Sequence, residues 1–150
     1  YLIGMMKVLG VHSYGRMIPN MPSRDDYGHQ FKLDTISRYK FTIAFENAIA
    51  ADYVTEKFYD PLIAGSVPVY LGAPNVSDFA PGENCFINAS VWDDPESLGR
   101  YLIELSHDDE LYAGYFEWKN KPFLPKFREL LELQKINSFV RLCRKVGELT

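Results

Sequence analysis

Cysteine is scarce in this chain. Cys85 and Cys143 are the only two, and no Cys-x-x-Cys occurs, so the thiols alone make no metal site. They are open to pairing with each other or with residues elsewhere, or to staying free. His12, His29 and His107 are scattered, with no second His or Cys at ligand spacing. No Asp-x-Asp is present; Asp25-Asp26, Asp93-Asp94 and Asp108-Asp109 are adjacent pairs in loops or at helix starts. These absences argue against a bound metal. Gly-x-Gly-x-x-Gly, a P-loop and a nucleophilic serine elbow are also missing. Basic residues are outnumbered, 16 to 20, giving a net charge of −4, so no broad basic face invites nucleic acid. No apolar run reaches 18 residues, so no segment reads as a membrane-spanning helix.

What is present is a core. With 150 residues and 47% apolar content the chain is long enough for one packed domain. It opens on Tyr1-Leu2-Ile3-Gly4-Met5-Met6-Lys7, which reads as the tail of a helix already under way, and so as a piece of a larger protein. Val8 to Tyr14 reads as a short strand closed by Gly15, Arg16 to Gln30 as a loop, and Phe31 to Arg38 as a short helix. Phe41 to Phe45 suits a buried parallel strand. Thr55 is an N-cap candidate for a helix that Gly65 stops, and Val67 to Leu71 is the next strand. Val76 to Phe79 suits one helical turn and Cys85-Phe86-Ile87 a third strand. Asp94 and Pro95 start a helix to about Ser106. Further helices are expected from Asp109 to about Lys119 and from Phe127 to about Val146, the last third wrapping back over the sheet. Strands alternating with helices imply a parallel α/β sheet.

The polar residues gather at one end of this pattern. Glu46-Asn47 ends the strand Phe41–Phe45, at the end of a parallel sheet where ligands usually bind. The pair can contact a ligand or satisfy neighbouring backbone. Thr55-Glu56-Lys57 opens a helix, where free N–H groups and the helix dipole favour an anion. Lys57 suits a diphosphate; Glu56 suits a sugar hydroxyl or developing positive charge. An ordinary capped surface helix fits the same residues. Tyr53 can stack on a ring, donate to phosphate or simply pack. Asn75-Val76-Ser77 and Asn88-Ala89-Ser90 are N-glycosylation sequons, which lean the chain toward a secretory lumen. Spacing alone predicts a site for an anionic, hydroxyl-rich ligand.

Residue by residue, the sequence resembles the α-1,3-fucosyltransferases of glycosyltransferase family 10. Tyr39-Lys40-Phe41, Phe45-Glu46-Asn47, Asp52-Tyr53-Val54-Thr55-Glu56-Lys57 and Ala64-Gly65-Ser66-Val67-Pro68-Val69 follow the family pattern without insertion. Gly72-Ala73-Pro74-Asn75 and Phe79-Ala80-Pro81 resemble plant-type and related eukaryotic members, and His12-Ser13-Tyr14-Gly15 matches an earlier strand and turn.

The resemblance implies a Rossmann-like sheet flanked by helices, the carboxyl-terminal half of a GT-B glycosyltransferase. That half binds GDP-fucose, and an amino-terminal acceptor domain lies outside this chain. It implies inverting α-1,3 transfer of fucose to a GlcNAc hydroxyl of an N-glycan or related glycan. Another nucleotide sugar, or a non-catalytic binding module, is the alternative. By the same resemblance Tyr14, Glu46, Asn47, Tyr53, Glu56 and Lys57 fall at or beside donor-binding positions. Lys57 holds phosphate and Glu56 sits near the fucose, and no metal or other cofactor is needed. The family's proposed general base and an arginine on the diphosphate lie outside these residues, so the fragment by itself is expected to be inactive. The implied setting is the Golgi lumen, in a single-pass type II membrane protein whose anchor lies elsewhere and with no membrane contact from this chain. Ala48 replaces the family's usual Ser, and Val140-Arg141-Leu142-Cys143 lacks the first Cys of a plant-type Cys-Arg-Leu-Cys tail.

Overall fold

The computed structural model describes residues 1–14, 19–21 and 28–148. Three parallel strands form one sheet in the order β1 (Phe41–Phe45), β2 (Val67–Leu71), β3 (Ile87–Asn88). Around it lie α1 (Leu2–Met6), α2 (Gly28–Ile36), α3 (Glu56–Ala64), α4 (Pro95–His107), α5 (Asp109–Gly114), α6 (Pro125–Gln134) and α7 (Ser138–Gly147). This is the expected α/β class, helices covering both faces of a parallel sheet.

Each face of the sheet has its own core. On one, Met5 of α1 and Leu98, Leu102 and Leu105 of α4 meet Val67, Val69 and Ile87, with Phe41, Ile43, Phe45 and Leu71 packed against them. On the other, Phe58 and Leu62 of α3 meet Ala44, Tyr70, Val76, Ala80 and Cys85. The alternation follows from the two-residue period of a strand. Pro68 is tolerated inside β2 because β3 pairs only with Val69 and Tyr70, so no ladder donor is missing there.

The helix signals act as read. Asp94 accepts from Ser97 N–H at 2.6 Å with Pro95 opening α4. Gly65 adopts φ 86°, the left-handed conformation, and its N–H returns to the Pro61 carbonyl. Val76–Phe79 is a single 3-10 turn.

Elsewhere the structure corrects the reading. Residues 8–14 form no strand, because among the described residues nothing pairs with them as a ladder; Gly15 and most of the 16–30 loop lie outside the described residues. Helix α2 begins at Gly28, inside the expected loop, and ends at Ile36. The third strand starts at Ile87, since Cys85 is instead buried in the second core. Helix α5 stops at Gly114, a poor helix former, and Glu117–Asn120 is a separate 3-10 turn. The long final helix is two, α6 starting two residues early on Pro125, and α7 restarting where Asn137 caps Phe139 N–H at 2.9 Å. Helix α7 buries no residue, so this last part does not wrap the sheet. Cys85 is buried and Cys143 exposed, both as free thiols, and burial pushes the Cys85 thiol up to about 11.

Candidate functional site

The carboxyl end of β1 leads straight into a polar knot centred on Glu46. Its side chain has no exposed surface. Its carboxylate accepts the Thr55 N–H at 2.7 Å and the Thr55 hydroxyl at 2.8 Å, and lies 3.4 Å from Lys57 Nζ. A buried carboxylate needs such donors, since leaving it bare in a low-dielectric setting is costly. One acidic side chain from the strand therefore fixes the start of the next helix. Thr55 does two jobs at once: its hydroxyl hydrogen goes to Glu46, while its oxygen accepts the Lys57 N–H at 3.4 Å as the N-cap of α3.

Gly72 explains the glycine turn after β2. A Cβ there would lie 2.5 Å from Tyr70 Oη and 2.6 Å from Glu46 Cγ, so only hydrogen fits beside the buried carboxylate. Tyr70, itself 1% exposed, donates from Oη to the Tyr53 carbonyl at 3.3 Å and accepts from Ala73 N–H at 3.0 Å. Burial pushes the Tyr70 phenol up, so it stays a neutral donor. Beyond it, Asp52 stands at φ 63° and exchanges two hydrogen bonds with Asn75, its N–H to Oδ1 at 3.0 Å and its Oδ1 from Nδ2 at 2.8 Å. The loop between β1 and α3 is thus held at Glu46, Tyr53 and Asp52. The loop-holding roles of Tyr70 and Asn75 escaped the sequence reading, which takes Asn75 only as a sequon; a lone hydroxyl in an otherwise apolar strand was the signal for Tyr70.

The remaining predicted residues fall as follows. Lys57 Nζ reaches Asn47 Oδ1 at 3.1 Å, and its side chain is 30% exposed, so the ammonium is anchored on one side and open on the other. Glu56 projects outward, its side chain 61% exposed and 3.9 Å from Lys32 Nζ. Tyr14 bonds through its hydroxyl to Tyr39 Oη at 3.0 Å, and His12 Nδ1 reaches the same oxygen at 2.7 Å. Tyr14, Glu56 and Lys57 line one cleft of about 990 Å³ beside β1. Asn47 and Tyr53 are exposed on the loop outside that lining.

A second buried carboxylate braces the site from behind. Asp60, 3% exposed on α3, accepts from His29 Nε2 at 2.9 Å and lies 2.7 Å from Lys32 Nζ, both on α2. Burial pushes its pKa up, but the bonds to Lys32 and His29 outweigh it and hold the carboxyl below its ordinary value.

Both sequons are used inside the fold: Asn75 in the loop clamp and Asn88 as a cap, its Oδ1 taking the Ser90 N–H at 3.0 Å. Among the described residues no three His, Cys, Asp or Glu converge as a metal site. No helix among them is long and apolar enough to cross a membrane. Chemically the site offers the Lys57 ammonium, the exposed Glu56 carboxylate and a helix N-terminus at the carboxyl end of a parallel strand, a combination that suits an anion joined to a polyol.

Known proteins resemble this chain in sequence and in fold. The model of the family described as glycosyltransferase family 10 (fucosyltransferase) C-term matches residues 1–150. A human GDP-fucose protein O-fucosyltransferase 3 is 37% identical over 141 residues, covering 90% of this chain and 29% of the relative. An Arabidopsis thaliana putative fucosyltransferase-like protein is 35% identical over 143 residues, covering 95% of this chain and 27% of the relative. A crystal structure of an α1,3-fucosyltransferase with GDP superposes with a TM-score of 0.62 at 26% identity, over 74% of this chain and 31% of that one. The chain thus spans under a third of the length of these relatives. The chain belongs to glycosyltransferase family 10, the fucosyltransferases, matching the part described as carboxyl-terminal.

Proposed function

We propose that this chain is the donor-binding part of an inverting fucosyltransferase that uses GDP-fucose. The observation that carries this is Lys57, an ammonium held by Glu46 and Asn47 with one side left open at the N-terminus of α3. That geometry suits a diphosphate, because cation and helix dipole act on the same charge. Glu56, next in the helix and exposed, faces the same cleft and suits the fucose ring, where positive charge grows as the bond to GDP lengthens. In the step itself the acceptor oxygen bonds to the anomeric carbon from the face opposite GDP. The carbon–oxygen bond to the diphosphate breaks with its electron pair going to GDP, and the acceptor proton passes to a base outside these residues. No metal is assigned a part. In this reading Glu46 touches no substrate but positions Lys57 and Thr55.

Two acceptors are in play. An α-1,3 linkage to GlcNAc draws on the motif pattern and on the solved structures named α1,3-fucosyltransferase. A protein hydroxyl draws on the relatives at 37% identity, which are named protein O-fucosyltransferase 3. The proposed setting is the Golgi lumen, behind a type II anchor carried elsewhere in the polypeptide.

Saturation-transfer NMR of the full-length protein with GDP-fucose, GDP-mannose and UDP-galactose tests the donor, and only GDP-fucose is expected to show contact through its sugar protons. Labelled fucose offered with a GlcNAc-terminated glycopeptide and with an unglycosylated Ser/Thr peptide then separates the acceptors. Contact from UDP-galactose equal to that from GDP-fucose overturns the donor reading.

A further inference from the structure

Glu56 stands in the cleft with little to hold it. It is the first residue of α3, and its side chain is 61% exposed. Among the described residues the Lys32 ammonium is the one charged group beside it, and no hydrogen bond ties its carboxylate to the protein. A glutamate so placed samples several rotamers. A carboxylate meant to meet charge at one point loses effect when it wanders, so whatever limits its freedom bears on the reaction.

The limit comes from helix pairing. His29 and Lys32 lie three apart on α2, and Glu56 and Asp60 lie four apart on α3, so each pair shares one face of its helix and the two faces meet. Lys32 Nζ is 2.7 Å from Asp60 Oδ2 and 3.9 Å from Glu56 Oε1. His29 Nε2 takes the other Asp60 oxygen, Oδ1, at 2.9 Å. Asp60 Oδ2 is buried and receives no well-aligned hydrogen bond, so the ammonium meets it as a charge and keeps N–H groups for a second acceptor. Side-chain exposure rises along the row, 4% at Asp60, 44% at Lys32 and 61% at Glu56, from a fixed end in the core to a working end in the cleft.

Charge explains why the row needs Asp60. Lys32 alone beside Glu56 would make a neutral pair, of little use to positive charge growing on a sugar. Two carboxylates around one ammonium sum to a single negative charge, so Glu56 keeps its field while Lys32 fixes its place. We infer that Lys32, anchored on Asp60, is a positioning residue that holds the Glu56 carboxylate toward the fucose. This rests on the reading of Glu56 under the proposed function. Lys32 lines the same cleft as Glu56 and Lys57, but it acts through Glu56 and leaves the diphosphate to Lys57.

Steady-state kinetics and GDP titration on variants of the full-length enzyme test this. Lys32→Met should lower kcat roughly 10- to 100-fold and leave the Kd for GDP within about twofold of wild type. Added to Glu56→Gln, it should lower kcat by less than about twofold more, because the residue it acts through is already gone. Lys32→Met also strands the buried Asp60 charge, which endangers the fold. Joining it to Asp60→Asn removes that charge, and the loss of kcat should persist in the double variant. A kcat within about twofold of wild type in that double variant, or a full independent loss on top of Glu56→Gln, overturns the inference and leaves the role of Glu56 standing. Weaker GDP binding with kcat unchanged makes Lys32 a phosphate ligand and overturns it too. If Glu56→Gln itself leaves kcat unchanged, the reading of Glu56 fails first, and the inference falls with it.

Discussion

Replacing Glu46 by Gln probes the part of the site that the structure makes most specific. The native carboxylate has no exposed surface and serves three donors: Thr55 N–H, the Thr55 hydroxyl and Lys57 Nζ. Glutamine keeps one acceptor oxygen for the Thr55 N–H. Its amide nitrogen must then face the ammonium, a donor against a donor, or the Thr55 hydroxyl, which has to give up donating and turn to accept. Hydrogen bonds to a charged group contribute about 1.5–3 kcal/mol, so the variant should lose about that much stability. For a domain of this size about 2–4 °C accompanies each kcal/mol, so thermal unfolding of the full-length protein should fall by roughly 3–12 °C. Lys57 keeps only Asn47 as anchor, so GDP affinity should fall as well, by less than when Lys57 itself is removed. Differential scanning calorimetry and GDP titration on the same preparation read both effects. A melting temperature within about 1 °C of wild type, with unchanged GDP affinity, would refute the view of Glu46 as the buried anchor of the site.

Other expectations follow from neighbouring residues. Glu56→Gln should leave GDP binding nearly intact and lower kcat in steady-state kinetics, since its partner is the charge that grows on the fucose; equal loss of GDP affinity with kcat unchanged sinks that role. EDTA should change donor affinity of the full-length enzyme by less than about tenfold, or about 1.4 kcal/mol, by calorimetry. Asp60, with its pKa held down in the fold, contributes stability that is present above the ordinary aspartate value of about 3.9 and is lost as pH falls through its lowered native value. Asp60→Asn should therefore flatten the acid limb of the stability–pH curve below about pH 4, and an unchanged limb counts against the Lys32–Asp60–His29 brace.

The stretch from Phe41 to Leu71 was legible because its signals are local. Apolar runs of strand length, a Thr cap and a Gly stop each act within a few residues, and the two strands and the helix between them appear where read. The role of Glu46 was half visible: the sequence put a carboxylate at the strand end but not the donors that fold back to it from Thr55 and Lys57. Tyr70 and Asn75 lie about twenty residues from the loop atoms they hold, so no periodicity announced them. Residues 8–14 illustrate the converse. Their composition suits a strand, but a strand exists only with a partner, and pairing is a non-local property. The break at Lys135–Asn137 was written in Asn137, a strong N-cap residue overlooked inside an amphipathic run.

The most direct test of the account is GDP titration against Lys57→Ala in the full-length enzyme. Glu46 would still hold both Thr55 donors, so the loop should keep its shape and the loss should report the missing ammonium. A charge-assisted contact of about 1.5–3 kcal/mol predicts a Kd for GDP roughly 10- to 100-fold weaker, with the melting temperature little changed. A Kd within about twofold of wild type would mean that the diphosphate lies elsewhere, and that the knot at the end of β1 is structure alone.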